Sequence, residues 1–242
     1  MLVLCWKRAD LRETSRLVTF LSAERGRFTC LAKGAHRGNS QALGRLDFLN
    51  RLDVTLSGRG IPLLGRVRLV HEPRALRRPE RFAVATHLAD LFDRSFVPER
   101  ADHEMFDLAV GALTLVERAE PRRLPVVIAG VELRLLAVLG VLGDLRHCAT
   151  CGSALREGDM VFAGTHGAEL RCREHRPEAA VPIAAGVHPW LSILATTRGR
   201  DLPKVQAGTA LGALVACCGR WIEAALEHRP RYRALALSAC TA

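Results

Sequence analysis

The chain has 242 residues, of which 49% are hydrophobic and 25% are charged, and its formal net charge is +10 at pH 7. This composition is that of a soluble globular protein, and it excludes a disordered, collagen-like or low-complexity chain. The charge is uneven, since residues 1–80 contain 16 Lys and Arg against 7 Asp and Glu, whereas residues 81–242 are nearly balanced. This concentration of positive charge indicates a polyanionic partner, either nucleic acid or an anionic membrane surface.

Residues 1–72 have the hydrophobic pattern of five short β-strands separated by glycine-containing turns. Alternation is clearest where Phe28, Cys30 and Ala32 share one face of a segment. The five predicted strands cover residues 2–6, 15–22, 27–33, 51–56 and 61–71. This pattern predicts a small barrel, and basic barrels of this size are often OB-folds that bind nucleic acid. We therefore predict an OB-fold domain over residues 1–78.

Basic residues of the predicted barrel form the candidate nucleic-acid interface. Lys33 leaves a strand into a glycine-containing loop that carries Arg37 and is followed by Arg45, and such a loop can reach phosphates. The other candidate DNA-binding residues are Arg25, Arg27, Arg51, Arg59, Arg66 and Arg68. For a single arginine the alternative is an ordinary solvated surface, but the charge asymmetry favours binding by the set. Because aromatic residues are scarce, we expect phosphate-driven, weakly sequence-specific and salt-dependent binding.

From residue 79 the hydrophobic period changes to that of amphipathic helices. The predicted helices cover about residues 85–96, 102–120, 125–142, 190–195 and 205–227. Prolines bound the first three, and Asp102 is placed to cap the second. The sequence therefore predicts an α+β multidomain protein, with an all-helical domain over residues 79–242 that contains one inserted module.

The most apolar stretch of the chain, residues 124–145, is interrupted by Glu132 and Arg134. Two central charges are unfavourable in a bilayer, so this stretch is interpreted as a buried helix of a soluble protein. Lys7 and Arg8 follow the apolar first six residues at once, which leaves no core of signal-peptide length. We expect a cytoplasmic protein without a membrane partner.

The inserted module, at about residues 146–178, contains two pairs of candidate metal ligands. Each pair has two intervening residues, and twenty residues separate the pairs. The predicted ligands are Cys148, Cys151, Cys172 and His175. This spacing suits one tetrahedral structural zinc ion, with a short ribbon hairpin between the pairs. His147 and His166 are rival fourth ligands with less regular spacing.

The sequence lacks the signatures of common catalytic sites. It contains no G-x-x-x-x-G-K-[ST] loop and no G-x-S-x-G turn. The zinc deaminase pattern is missing as well, since His147 rather than proline precedes Cys148 and no H-x-E occurs upstream. We therefore predict that the protein is not an enzyme.

Four stretches of the sequence occur in the order found in one known family. They are RADLRETSRLVTFLSAERGRFTCLAKGAHRGNS at residues 8–40, GRLDFLNRLDVTLSGRG at 44–60, the cysteine segment, and RPRYRALALS at 229–238. On these stretches the chain resembles the RecO family of bacterial DNA repair and recombination mediators. The resemblance implies an N-terminal OB-fold, a helical domain and an embedded zinc module.

Two positions depart from the family's pattern. Lys33 and Arg37 match the basic loop of the family, in which His36 replaces an expected arginine. Many zinc-bearing relatives end the module with C-x-x-C, whereas this chain has Cys172-x-x-His175, a ligand pair that zinc also accepts.

The resemblance implies a mediator of the RecFOR or RecOR pathway. Members bind single- and double-stranded DNA and anneal complementary strands. With RecR, and in some bacteria RecF, they load RecA on DNA coated by single-stranded DNA-binding protein (SSB). We expect these partners here, including the C-terminal tail of SSB, and a nucleoid-associated location. Two alternatives remain from the residues alone, namely a zinc-ribbon scaffold that binds RNA and a zinc hydrolase, for which no general base is evident.

Overall fold

The structure is a computed structural model that describes residues 1–11, 13–35, 40, 44–164, 167–178, 180 and 182–240. It divides into two compact units, one of Met1–Arg77 with Leu91–Val110 and the other of Arg78–Asp90 with Gly111–Ala242. The predicted domain boundary between residues 78 and 79 stays a prediction.

Five strands of the first unit form a closed barrel in the order β1-β2-β3-β5-β4. The strands are β1 (Leu2–Leu11), β2 (Ser15–Ser22), β3 (Gly26–Ala32), β4 (Arg51–Ser57) and β5 (Leu63–His71). Neighbours pair antiparallel except β3 and β5, which are parallel with Leu31 opposite Leu63. This arrangement confirms the predicted OB-fold.

The barrel core consists of the alternating apolar residues of each strand. Phe20 lies on β2, Phe28 and Cys30 on β3, Val54 on β4 and Val67 on β5, and all are buried in one cluster. Their period of two places the intervening polar residues on the outer surface, as the sequence predicted.

Strand β1 runs to Leu11, five residues beyond its predicted end. The hydrophobic pattern stops after Trp6, but pairing with β2 continues through Lys7 opposite Thr19 to Leu11 opposite Ser15. Residues 7–11 are exposed. Paired strand residues that are exposed on both faces show no alternation of apolar and polar side chains. The hydrophobic pattern therefore could not predict this extension of β1.

Six α-helices follow within the described residues. They are α1 (Pro79–Ser95), α2 (His103–Arg118), α3 (Leu124–Val138), α4 (His188–Thr196), α5 (Leu211–Ala225) and α6 (Arg233–Ala239). Helix α3 ends four residues before its predicted end, where Gly140 adopts a left-handed φ of +73°. Helix α5 begins only at Leu211, because the short 3-10 helices Gly199–Lys204 and Gly208–Ala210 precede it.

Two sequence-based interpretations of the helices can be compared directly with the structure. Asp102 caps α2, since its Oδ1 accepts the backbone N–H of Met105 at 2.9 Å. Helix α3 is buried over most of its length, including Glu132. No helix among the described residues has both the length and the apolar character needed to cross a membrane.

Candidate metal centre and nucleic-acid interface

The cysteine segment brings the four predicted ligands together. The Sγ atoms of Cys148, Cys151 and Cys172 and a ring nitrogen of His175 all lie within 4.8 Å of one another. Cys151 Sγ is 4.0 Å from Cys172 Sγ, which is 3.3 Å from His175 Nδ1. Tetrahedral zinc with bonds of about 2.3 Å to sulfur would place two sulfurs about 3.8 Å apart. The spacing of the four donor atoms therefore fits one tetrahedral ion.

Local turns at each ligand pair produce this cluster. The N–H of Gly152 donates to the carbonyl of Cys148 at 2.9 Å, and Gly152 has a φ of +71°. Between the pairs, β6 (Phe162–Ala163) and β7 (Leu170–Arg171) form the predicted short hairpin. The N–H of Ala149 donates to Leu170 at 2.9 Å and so ties the first turn to β7. A 3-10 turn over Arg173–His175 then brings His175 back beside Cys172.

Backbone N–H groups surround the first sulfur of the cluster. Burial raises the pKa of the Cys148 thiol, but hydrogen bonds from the N–H groups of Cys172, Cys151 and Thr150 outweigh it and lower that pKa to about 6. Metals bind the thiolate form of cysteine. By favouring that form of Cys148, these N–H groups favour metal binding. Three sulfurs and an imidazole are a donor set typical of structural zinc, and the protein itself fills all four positions.

The two rival histidines are not part of the described cluster. The Nδ1 of His147 lies 2.7 Å from Asp144 Oδ2, so this side chain is engaged by a carboxylate. His166 lies outside the described residues. Among the residues that the structure describes, His175 alone completes the three-cysteine set.

The loop that leaves β3 is described only in part. Lys33 is exposed directly after the strand, whereas Arg37 and its neighbour His36 lie outside the described residues. Arg45, which follows the loop, is half-buried and donates from Nη1 to the carbonyl of Val67 at 2.6 Å. The Arg45 guanidinium therefore binds a strand of the barrel.

Two of the candidate DNA-binding arginines on β3 and in the preceding turn are ion-paired. Arg25 forms an ion pair with Glu99 and lies 4.8 Å from the centre of the Phe28 ring. Arg27 Nη1 donates to the backbone carbonyl of Asp93 at 2.9 Å and lies 3.4 Å from its carboxylate. Both carboxylates come from residues more than 60 positions away in the sequence, so no local pattern could reveal these pairs.

Asp93 receives two further donors from β1. Lys7 Nζ lies 2.7 Å from Asp93 Oδ2, and Trp6 Nε1 donates to Oδ1 at 3.1 Å. Sequence reasoning missed Asp93 and Glu99 as part of this surface. The sequence shows these acidic residues but gives no indication of which strands they would meet.

The four remaining candidates lie on β4, on β5 and in the turn between them. Arg68 is 3.1 Å from Asp53, whose other oxygen binds the N-terminal amine. Arg59 and Arg66 are exposed and Arg51 is half-buried. Within the described part of the chain these last three side chains, like that of Lys33, have no hydrogen bond or ion pair.

A groove of about 520 Å³ lies on the outer face of β2 and β3. Thr19 and Thr29, whose hydroxyl oxygens are 3.0 Å apart, line it together with Ile61 from the β4–β5 turn. Asp93 and Glu99 also line it. OB-folds commonly bind oligonucleotides on this face, between the same strands and the same turn.

Comparison with known proteins covers both units. The family model described as recombination protein O N terminal matches residues 4–72, and that described as recombination protein O C terminal matches residues 76–234. The DNA repair protein RecO of Anaeromyxobacter dehalogenans strain 2CP-C is 34% identical over 187 residues, which cover 74% of this chain and 72% of the relative. RecO of Chlorobium limicola is 27% identical over 244 residues, covering 94% and 92%. RecO of Acidithiobacillus ferrooxidans is 31% identical over 195 residues, covering 77% and 72%.

Proposed function

Because this chain belongs to the RecO family of DNA repair proteins, we propose that it is a non-enzymatic recombination mediator that binds single- and double-stranded DNA and anneals complementary strands. The family resemblance predicted from the sequence is confirmed. The observation that supports a DNA-binding role most directly is the closed OB-fold barrel with exposed cations at Lys33, Arg59 and Arg66, which have no ion pair with any residue that the structure describes.

Annealing follows from charge neutralisation by the barrel. Two DNA strands repel each other through their phosphates, and lysine and arginine side chains that bind these phosphates release counterions and reduce the repulsion. Strands held side by side then pair through their own bases, and no group of the protein has to transfer a proton or form a bond. The protein supplies only binding and proximity, so the reaction needs no ATP.

The metal centre has a structural role in this proposal. Cys148, Cys151, Cys172 and His175 would hold zinc, which would supply a cross-link between the two ends of the module. These four donors would fill the coordination positions of a tetrahedral ion and would leave none open for a substrate. The module and the helical unit provide the surfaces for RecR and for the C-terminal tail of SSB, and RecR, with RecF in some bacteria, completes RecA loading.

Annealing of complementary fluorescent oligonucleotides that are precoated with SSB tests the proposal. We expect the purified protein to accelerate pairing without ATP, and the double variant Lys33→Glu, Arg37→Glu to lose most of this acceleration together with DNA affinity. Acceleration only after addition of RecR would support the mediator role and contradict annealing by this chain alone. Preference for structured RNA over single-stranded DNA in a competition assay would contradict the proposal and favour an RNA scaffold.

A further inference from the structure

The face on which OB-folds commonly bind oligonucleotides carries no free cation among the residues that line its groove here. Lys7 and Arg27 both contact Asp93, and Arg25 beside the groove pairs with Glu99. A phosphate entering the groove would have to replace Asp93 or Glu99 as the partner of these cations. It would then lie close to the negative charge of the displaced carboxylate. The local electrostatics therefore disfavour a polyanion on the outer face of β2 and β3.

The outer face of β5 has the opposite balance. Arg66 and Arg68 flank Val67, whose side chain is buried in the barrel core, so both arginines point outward, about 6.7 Å apart along the strand. Arg59 lies in the turn that precedes β5. Residues 51–71 contain four arginines and a single acidic residue, Asp53.

The one carboxylate on this face is already neutralised. Asp53 is bound by the N-terminal amine and by Arg68, each at 3.1 Å, and hydrogen bonds from both groups hold the pKa of its carboxyl below the usual value. Two cations therefore surround one anion, and the face keeps a net positive charge even where it contains an acidic side chain.

Lys33 adds a cation near this face from the other side of the parallel β3–β5 junction. Strand β3 runs parallel to β5 with Leu31 opposite Leu63, and Lys33 is exposed directly after β3 ends at Ala32. The backbone of Arg66 is fixed in turn by its N–H, which donates to Thr55 Oγ1 on β4 at 2.9 Å. Within the part of the chain that the structure describes, three exposed cations without a hydrogen bond or ion pair therefore lie on β5 or on the segments next to its start, at positions 33, 59 and 66.

We infer that the phosphates of single-stranded DNA follow the outer face of β5, bound by Lys33, Arg59 and Arg66, and that the β2–β3 groove is not the phosphate-binding surface. This inference rests on the proposed DNA-binding function and names the surface that performs it. The charge of the β5 face indicates what binds there. Basic side chains without free carboxylates among them match a regular chain of phosphates.

Two double variants with the same change in net charge test the inference. Arg59→Gln with Arg66→Gln removes two cations from the β5 face, and Arg25→Gln with Arg27→Gln removes two from the groove side. Binding of a fluorescent single-stranded oligonucleotide is measured by anisotropy over a range of salt concentrations, after circular dichroism has shown both variants to be folded. We expect the first variant to lose about tenfold or more in affinity and its salt slope to fall by about 1.4, and the second to stay within about twofold of wild type.

A third variant covers the case in which the loss of Arg25 and Arg27 unfolds the barrel. Glu99→Gln frees Arg25 without removing a cation, and we expect less than about a twofold change in DNA affinity. A clear gain in affinity, or a larger loss from the groove variant than from the β5 variant, would overturn the inference while leaving DNA binding itself intact. Failure of the wild-type protein to bind DNA would instead overturn the proposed function.

Discussion

Glu132 is a carboxylate in the apolar interior of helix α3, and two basic side chains from distant positions accompany it. Arg233 donates to its two oxygens at 2.7 and 2.9 Å, and His87 Nε2 lies 3.1 Å from Oε1. Gly219 leaves room for this arrangement, because a Cβ there would lie 2.5 Å from the guanidinium carbon of Arg233. Glu132 therefore fixes α6 against α3 through a charge pair that is largely shielded from water.

Replacing Glu132 should strongly destabilise the second unit. Glu132→Ala leaves Arg233 largely buried without its anion, and loss of one partner of a buried pair destabilises by about 3–5 kcal/mol. Urea denaturation followed by circular dichroism measures the change. Glu120→Gln is the matched control, because Glu120 and its partner Arg122 are both exposed and such pairs contribute at most about 1 kcal/mol. Equal effects of the two substitutions would contradict a special role for Glu132.

The Glu132 carboxylate also makes the free energy of unfolding depend on pH. Burial raises the pKa of Glu132, but hydrogen bonds and charge from Arg233 and His87 outweigh it and hold this pKa below its usual value. A carboxyl with a lowered folded-state pKa stabilises the protein above its unfolded pKa, about 4.3, and this contribution is lost as the pH falls through the folded-state pKa. Unfolding free energies measured at about pH 7 and about pH 3 should therefore differ less for Glu132→Gln than for wild type. An identical difference would show that Glu132 does not contribute.

The sequence could identify Glu132 as an unusual residue but not its partners. A charge inside the most apolar stretch of the chain is visible in the sequence, and the prediction of a buried helix around it is confirmed by α3. Arg233 lies 101 residues further on. Nothing in the local pattern distinguishes it from the many exposed arginines of this chain.

At the scale of secondary-structure elements, the start of β3, directly after the β2–β3 turn, is a tightly constrained point of the barrel. Gly26 has a φ of +59°, and a Cβ at this position would lie 2.2 Å from the carbonyl oxygen of Arg100 and 2.6 Å from that of Val97. Both the backbone conformation and the close approach of the segment after α1 thus require glycine. The sequence predicted only the turn, because the approach of residues 97–100 is a tertiary contact.

Gly26→Ala should lower the melting temperature more than Gly60→Ala. Gly60 has a φ of +76° but nothing within 4 Å of the position of a Cβ, so alanine there meets only the left-handed conformational penalty of about 1–2 kcal/mol. At Gly26 the clash with two backbone oxygens adds to this penalty. Thermal unfolding followed by circular dichroism compares the two, and a Gly60 variant at least as unstable as the Gly26 variant would contradict the argument.

The cysteine segment is an element whose fold should depend on an ion, if the four clustered donors bind the proposed zinc. About one equivalent of zinc should be found per chain by elemental analysis, and Cys151→Ser should lose it and reduce the unfolding temperature. Cys240→Ser serves as the control, since this half-buried cysteine in the last described segment lies outside the cluster. Retention of metal by Cys151→Ser would show that the four residues are not the ligands.

Local spacing was sufficient to predict this cluster because its four donors lie in two short turns. Each turn brings two donors together within four residues, and the hairpin of β6 and β7 then joins the turns. The sequence left His147, His166 and His175 as competing ligands. Among the described residues the cluster contains His175, whereas the ring of His147 contacts Asp144, an acidic partner that the ligand spacing does not reveal.

At the scale of the whole molecule, the net charge overstates the number of groups free to bind DNA. The sequence showed a strongly basic first third, but ion pairs with Asp93, Glu99 and Asp53 engage several of its arginines. The barrel itself could be predicted, because strand periodicity is a local signal. Pairing of its surface charges could not, because Asp93 and Glu99 reach the strands from a helix and the segment that follows it.

The salt dependence of DNA binding measures how many of these cations contact phosphates. If Lys33, Arg51, Arg59, Arg66 and the loop residue Arg37 each bind one phosphate of a single strand, the slope of log affinity against log salt should be about −3 to −4. If all nine sequence-predicted candidates bind, the slope should be about −6. Titration of a single-stranded oligonucleotide at several salt concentrations distinguishes these values, and the steeper one would show that DNA displaces the ion pairs.

The position of Arg45 beside β5 affects whether the backbone of another chain can pair with that strand. Strand β5 pairs with β3 only where Leu31 faces Leu63. Within the described residues, the remainder of the junction between these two strands has no backbone ladder. Exposed strand edges are templates for strands of another chain and are a common origin of aggregation. The guanidinium of Arg45 occupies the carbonyl of Val67 on β5, so this acceptor is already engaged within the barrel. We therefore expect Arg45 to disfavour pairing of another chain's backbone with β5 at Val67.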